Sequence, residues 1–150
     1  MLPNFFLIGY DGLTPDELFK ILTDHDVNLL IDIRLRPNEA EIEQNFDDLS
    51  IRTGHHMFYY WMKVFANFFM DNENWGELYD AYLIGMDVQF EELYNLLIAN
   101  RACIMSEDHD LEKSHRLMLA DRIKAKYGLT YADLNVVEDI TNKYGIKHME

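Results

Sequence analysis

The stretch FFLIGYDGLTPDELFKILTDHDVNLLIDIR, residues 5–34, decides the fold. Its two apolar runs, Phe5–Ile8 and Asn28–Ile33, are of the kind that forms strands buried on both faces. Between them, the Thr-Pro-Asp-Glu sequence at 14–17 predicts the start of a helix. It combines an N-cap threonine, a proline at the first helical position and a glutamate three residues after the cap. Strand, helix and strand in this order predict a right-handed βαβ unit.

The rest of the chain continues to alternate strands and helices. Further strands are predicted at Met57–Trp61 and Arg101–Ser106, with an edge strand at Ile146–Met149. Further helices are predicted over Glu41–Leu49, Trp75–Leu83, a segment capped by Asp87, a segment from Leu111 to about Gly128, and a segment from Thr130 to Tyr144. This alternation indicates the α/β class, with a mostly parallel central sheet covered by helices on both faces, in a single domain over residues 1–150.

Composition and charge exclude several classes of protein. A chain of 150 residues that is 49% apolar has the length and composition of one domain with a full-sized core. Its 13 basic and 27 acidic residues give a net charge of −14, which disfavours direct binding to a nucleic-acid backbone. No apolar run is long enough to span a membrane, and the first residues lack the features of a signal peptide. The single cysteine, Cys103, excludes internal disulfides and fits the cytoplasm.

The densest acidic stretch is Glu39–Asp48. Such a run is most often the solvated face of a helix, which keeps a protein soluble. It is also compatible with docking on a basic protein partner or with imitation of nucleic acid. An acidic interaction protein is therefore the alternative to an enzyme.

Charged residues follow the predicted strands at the edge where a ligand crevice is expected. In an open parallel sheet, that crevice lies beyond the carboxyl ends of the strands. The segments that should meet there carry a set of polar and charged side chains: Asp32, Arg34, Arg36, Glu107, His115 and Arg116. Arginines converging on one edge would make a positive pocket suited to phosphate or carboxylate. The sequence therefore predicts an anion-accepting pocket, in which Arg34 and Arg116 hold the ligand.

Each of these residues also has a structural interpretation. Asp32 and Arg34 are two apart on a strand and are equally able to pair with each other. Glu107 is a candidate general acid or base, or else a solvated loop residue. His115 is a candidate proton carrier, although a helical histidine packed on a strand end is more often structural.

Other site chemistries lack their sequence patterns. GxGxxG, GxxxxGK and GxSxG are absent. The histidines and acids at 55–56 and 108–110 match no HExxH or EF-hand spacing, so we expect no metal site and no cofactor. Cys103 lies in an apolar run and is expected to be an unreactive core residue.

Several segments, taken in order, resemble the family known as domain of unknown function 488. They are the Ile-Gly-Tyr-Asp-Gly sequence at 8–12 with Thr14-Pro15, the Leu29–Pro37 stretch, the segment from Tyr60 to Asn67, Trp75 with Tyr79, and the segment from Met105 to Arg116. The resemblance runs over about residues 7–127. It implies a pocket lined by six residues: Tyr10, Asp32, Arg34, Glu107, His115 and Arg116. It implies no particular reaction, because a fold does not specify a function.

This chain also departs from the family pattern. Met105 and Ser114 stand where the family commonly has cysteines, and Ala66 stands where glycine is usual. The spacing from Glu107 to His115 is one residue longer than usual. Thiolate chemistry at those positions is therefore excluded for this member. The expectation is a hydrolase or transferase acting on a small phosphorylated or nucleotide-like ligand, or alternatively a decayed relative that acts as an interaction protein.

Overall fold

The computed structural model describes residues 2–138. The strands are β1 (Phe5–Gly9), β2 (Leu29–Asp32), β3 (Phe58–Trp61), β4 (Ala102–Ser106) and β5 (Tyr131–Asp133). The helices are α1 (Pro15–Asp24), α2 (Glu39–Thr53), α3 (Trp75–Leu83), α4 (Asp87–Ala99) and α5 (His115–Tyr127). Short 3₁₀ turns occupy Lys63–Phe65 and Leu111–Lys113, and residues 134–138 are helical.

The five strands form one parallel sheet in the order β3-β2-β4-β1-β5. This confirms the predicted α/β class and the parallel sheet. The strands of the predicted βαβ unit, β1 and β2, are not neighbours, because β4 lies between them and pairs with both. The N-terminal signals of α1 are confirmed: Thr14 Oγ1 accepts from the Glu17 N–H at 3.2 Å, and the Glu17 carboxylate accepts from the Thr14 N–H at 3.0 Å.

Both faces of the sheet are covered, as predicted. Alternate residues of β1 point to opposite faces: Phe5 and Leu7 join the core beneath α3, α4 and α5, whereas Phe6 and Ile8 join the core beneath α1 and α2. The strands are apolar on both faces because each face packs against helices. Among residues 2–138, no helix has the length and apolar character needed to cross a bilayer.

The segment after Gly128 differs from the prediction of a helix beginning at Thr130. Tyr131–Asp133 forms β5, which pairs with β1 from Phe5 to Leu7. The physical reason is that β1 would otherwise present an unpaired edge, and hydrogen bonding along that edge overrides the helical spacing of the side chains. The remainder of the predicted helix beyond residue 138 and the predicted strand Ile146–Met149 lie outside the described residues.

Two predicted helix starts also need correction. Asp87 is the first residue of α4 rather than its cap, and its carboxylate accepts from Lys126 Nζ at 2.8 Å. The helix predicted from Leu111 begins at His115, where Ser114 caps it by accepting from the Arg116 N–H at 3.1 Å. Ser114 forms the cap because its hydroxyl satisfies an N–H of the first turn that has no partner within the helix.

At the carboxyl end of β4, the loops that follow neighbouring strands lead to opposite faces of the sheet. The chain leaves β1 and β2 toward α1 and α2 on one face, and it leaves β4 toward α5 on the other. Neighbouring strands whose connections leave in opposite directions open a crevice between them, and such crevices are where α/β proteins bind ligands. The predicted site residues follow β1, β2 and β4, on both sides of this point.

Candidate functional site

Asp32 and Arg34 form a buried ion pair at the end of β2. The Arg34 Nε donates to Asp32 Oδ1 at 3.0 Å, and Nη2 donates to Oδ2 at 2.9 Å. The Tyr59 hydroxyl of β3 donates to the same Oδ2. Asp32 is fully buried, so these donors compensate its loss of water. The structural alternative that the sequence left open, pairing between the two residues, is what the structure contains.

The Arg34 guanidinium group also contacts Tyr10, and its Nη1 is not used in the pair with Asp32. Its Cζ lies 4.8 Å from the centroid of the Tyr10 ring, a cation–π contact that links the ends of β1 and β2. The Trp61 indole donates to the Arg34 carbonyl at 2.9 Å and holds the backbone in place. Within residues 2–138, Nη1 makes no hydrogen bond, and 11% of the side chain remains exposed. The orientation of Arg34 is therefore set by Asp32, while the N–H groups of Nη1 point away from this pair.

Glu107 directly follows β4, beside this pair. Burial raises the pKa of its carboxyl group, and the charges of Asp32 and Asp11 act in the same direction, whereas Arg34 lowers it. The backbone N–H of Asp11 donates to the Glu107 carbonyl at 2.8 Å, which ties the loops after β1 and β4 together. A half-buried carboxyl group with a raised pKa can exchange a proton at a pH closer to neutrality than an exposed one.

Arg116 is fully buried and uses all five of its N–H donors within the protein. Nε donates to Asp133 at 3.1 Å, and Nη1 donates to the Ser106 hydroxyl at 3.0 Å and to the Asp108 carbonyl. Nη2 donates to the His109 carbonyl and to Asn135 Oδ1, both at 3.2 Å. Arg116 thus has no donor left for a ligand.

The expectation that Arg34 and Arg116 converge on one hollow is therefore wrong. Arg34 pairs with Asp32 on the β2 side of β4, and Arg116 pairs with Asp133 of β5 on the other side. Each guanidinium group compensates a buried carboxylate of its own, because neither charge could be buried without a partner. The candidate site is consequently limited to the β2 side, with Tyr10, Arg34 and Glu107.

The loop after β4 occupies the space next to Gly9, the last residue of β1. Asn135 binds both backbone groups of Gly9: its Oδ1 accepts from the Gly9 N–H and its Nδ2 donates to the Gly9 carbonyl at 3.1 Å. A Cβ atom at Gly9 would lie 1.9 Å from the Asp108 carbonyl oxygen. Glycine is thus required here because the protein's own backbone approaches it.

Gly9→Ala is expected to destabilise the protein by about 1–3 kcal/mol, because the loop at Asp108 must move to admit a methyl group. Gly76→Ala is the matched control, since a Cβ atom there meets nothing within 4 Å and alanine favours the helix. Urea denaturation of both variants measures the difference. Equal stability of the two variants would contradict the close approach at Gly9.

His115 is placed differently from an exposed proton carrier. It is 2% exposed at the start of α5, its Nε2 lies 3.0 Å from the Ile33 carbonyl oxygen, and its ring packs edge-on against Tyr79 of α3 at 5.1 Å. Burial lowers its pKa to about 4, so the ring is neutral near pH 7 and Nε2 carries the proton that it donates to Ile33. Its Nδ1 is buried without a hydrogen-bond partner among the described residues. His115 holds the segment between Asp32 and Arg34 in position.

Sequence reasoning did not identify Tyr59, Asp133 and Asn135. Tyr59 lies in an aromatic run, and only the pairing of β3 with β2 brings its hydroxyl to Asp32. Asp133 and Asn135 fall in the segment that was assigned to a helix. The sequence feature that could have identified them is the Asp-Leu-Asn sequence at 133–135, because Asp and Asn side chains carry oxygens that accept hydrogen bonds from a buried arginine.

The remaining candidates behave as ordinary structural residues. Cys103 is buried in β4, and burial raises the pKa of its thiol well above the usual value, which keeps it protonated and unreactive. Within residues 2–138, no three His, Cys, Asp or Glu side chains are grouped so that they could hold a metal ion.

Comparison with known proteins gives one family and one curated relative. A curated protein named shikimate kinase, from Nostoc punctiforme (strain ATCC 29133 / PCC 73102), is 25% identical over 147 residues, covering 91% of this chain and 75% of that protein. No solved structure matches the chain significantly. The family model described as "Domain of unknown function DUF488" matches residues 14–123, which include β2, β4 and the Asp32–Arg34 pair. The chain therefore belongs to the DUF488 family.

Proposed function

We propose that this protein is a cytoplasmic hydrolase or transferase that acts on a small phosphorylated or nucleotide-like ligand. The reaction takes place at the carboxyl edge of the sheet, between the loops that follow β1, β2 and β4. The observation that carries the proposal is the position of Glu107, a half-buried carboxyl group with a raised pKa, beside an arginine with unused donors. Glu107 transfers the proton, and Arg34 binds the anion.

Glu107 has the properties of a general acid or base. Desolvation is the largest cause of its raised pKa, and a backbone hydrogen bond and the charge of Arg34 act against that effect. Proton transfer is most effective when the pKa of the group lies near the working pH. Perturbed carboxyl groups of this kind are typical of functional sites in clefts.

Arg34 binds one oxygen of the ligand rather than a whole anionic group. Its Nε and one N–H group of Nη2 are committed to Asp32, and the two N–H groups of Nη1 are available to a ligand. Since Asp32 compensates most of the positive charge, affinity depends on hydrogen-bond geometry more than on long-range attraction. Tyr10, stacked on the guanidinium group, forms the wall of the site.

The name of the curated relative denotes phosphoryl transfer, which is consistent with a phosphorylated ligand for this chain. The chain has no GxxxxGK sequence, so a phosphate would not be held by a loop of that type. Arg34 takes that role in our proposal.

The binding step is tested by thermal shift with inorganic phosphate, nucleotides and sugar phosphates. A ligand present at about 100 times its Kd adds about 2.7 kcal/mol, which raises the Tm of a domain of this size by about 5–10 °C. Arg34→Lys retains a positive charge beside Asp32 but lacks the additional N–H donors of the guanidinium group. It is expected to abolish the increase in Tm. Arg52→Lys, at an exposed position on α2, is the control and should retain it. The proposal fails if no probe raises the Tm, or if both variants respond like the wild type.

The chemical step is tested on the ligand that raises the Tm. Glu107→Gln should still bind it but release phosphate or free base at least about 100-fold more slowly, because the amide cannot exchange the proton. Glu112→Gln, an exposed position in the same connection between β4 and α5, should turn over at the wild-type rate. Chromatography of the products measures both rates. Unchanged turnover in Glu107→Gln would remove Glu107 from the mechanism.

A further inference from the structure

Within residues 2–138, no strand pairs with the outer edge of β3. β3 is the first strand of the sheet order and pairs only with β2 among the described strands. The Phe58 N–H donates to the Asn28 carbonyl and the Met62 N–H to the Asp32 carbonyl, both at 2.9 Å. Because backbone groups alternate along a strand, those of Tyr59 and Trp61 point away from β2. An edge of this kind can accept one more strand.

The side chains around this edge are apolar and exposed on one face of the sheet. Phe58 is 54% exposed and Tyr60 40% exposed. The Tyr60 hydroxyl donates to Glu92 of α4 at 3.0 Å, and the His56 ring packs edge-on against Phe58 at 4.3 Å. This face is therefore an apolar strip that α3 and α4 leave uncovered.

On the other face, α2 and β3 enclose an acidic groove of about 280 Å³. Its lining comes from one side of α2 and from the first half of β3: Glu43, Phe46, Asp47, His56, Met57, Phe58 and Tyr59. Glu43 and Asp47 are exposed at its rim, on the polar side of a helix whose Ile42 and Phe46 are buried. The groove thus offers carboxylates directly beside the unpaired edge.

We propose that the outer edge of β3 binds an extended basic segment of a partner protein as an added strand. Main-chain hydrogen bonds to Tyr59 and Trp61 provide the pairing, and alternate side chains of the segment point to opposite faces. In the bound segment, every second residue is therefore Lys or Arg and lies beside Glu43 and Asp47. The residues between them are apolar and pack on Phe58 and Tyr60. Repulsion by Glu43 and Asp47 also prevents acidic segments from binding at this edge.

A second copy of this chain fits the edge poorly. Two copies joined through β3 would bring the Glu43 and Asp47 side chains of both molecules close together, on proteins that each carry a net charge of −14. From the sequence, Glu39–Asp48 is compatible with docking on a basic protein. In the proposed complex, such a partner lies at the edge of β3, next to two carboxylates of that stretch. The edge adjoins the Arg34–Glu107 site, because the side chains of Tyr59 and Trp61 contact Asp32 and Arg34, but the added strand would contact neither Arg34 Nη1 nor Glu107. The two proposals therefore have separate tests.

Fluorescence anisotropy with a labelled peptide of about eight alternating Lys and Val residues tests the surface. We expect saturable binding that an alternating Glu and Val peptide does not reproduce. Glu43→Lys/Asp47→Lys should weaken binding by about tenfold, because it reverses both carboxylates of the groove. Asp48→Lys/Asp71→Lys makes the same change of net charge at exposed positions outside the groove and should change affinity by less than about twofold. Equal losses in the two variants would overturn the proposal.

Backbone methylation distinguishes strand addition from simple charge attraction. Two peptides methylated on alternate backbone nitrogens, in opposite phases, have the same charge and nearly the same shape. One loses the hydrogen bonds to β3 and should not bind, whereas the other keeps them and should. Equal affinity of both peptides, or the absence of any binding, would refute strand addition.

Sedimentation is expected to give a monomer, and a dimer that Phe58→Lys dissociates would assign the edge to a second copy instead.

Discussion

Arg116→Met is expected to destabilise the protein by about 3–5 kcal/mol, because it leaves the Asp133 carboxylate buried without its partner. The same substitution removes the donors that hold the Asp108 and His109 carbonyls over the end of β1. Unpaired buried acceptors add to the loss. Urea denaturation measures the change in the free energy of unfolding, and the expected loss is a large fraction of the roughly 5–15 kcal/mol that stabilises a typical domain.

Arg122→Met is the matched control on the same helix. Arg122 pairs with Asp80 at 2.7 Å, but its side chain is 30% exposed and that of Asp80 60% exposed, so water replaces the lost contact. A loss below about 1 kcal/mol is expected. If Arg116→Met does not fold, Arg116→Met/Asp133→Leu should recover part of the stability, because it removes the unpaired charge. Equal losses in the two single variants would contradict the structural role of Arg116.

The stability of the protein should fall by about 3 kcal/mol between pH 6.5 and pH 4 through His115 alone. The pKa of His115 is about 4 in the folded protein and 6.5 as a free side chain, so the unfolded state binds a proton in this range and the folded state does not. The contribution is complete above pH 6.5 and disappears as the pH falls to 4. Protonation would place a charge on a buried ring next to Arg116.

His115→Gln isolates this contribution from the other titrating groups. Glutamine can donate to the Ile33 carbonyl but cannot be protonated in this range, so the variant should have a flatter stability profile from pH 6.5 to 4. Urea denaturation of both proteins at several pH values gives the difference. Parallel profiles would indicate that the His115 ring titrates in the folded protein as it does in solvent.

Several features of the fold follow from local sequence. The apolar runs Phe5–Ile8 and Arg101–Ser106 predicted buried strands correctly, because a run that is apolar on both faces is stable only inside a covered sheet. The Thr-Pro-Asp-Glu sequence at 14–17 predicted the start of α1, because its hydrogen bonds join residues three apart. For the candidate site, the pairing of Asp32 with Arg34 was one of two local alternatives, since the residues are two apart on the chain.

Only the tertiary structure decided which distant residues meet. The insertion of β4 between β1 and β2 depends on how three helices cover one face, and no local pattern encodes that choice. Tyr131–Asp133 has the side-chain spacing of a helix and becomes a strand because the free edge of β1 requires hydrogen-bond partners. That pairing brings Asp133 to Arg116, which makes Arg116 a structural residue and leaves Arg34 as the arginine of the candidate site. Local propensity acts over a few residues, whereas burial of a charge must be compensated by whichever partner the packed chain brings near.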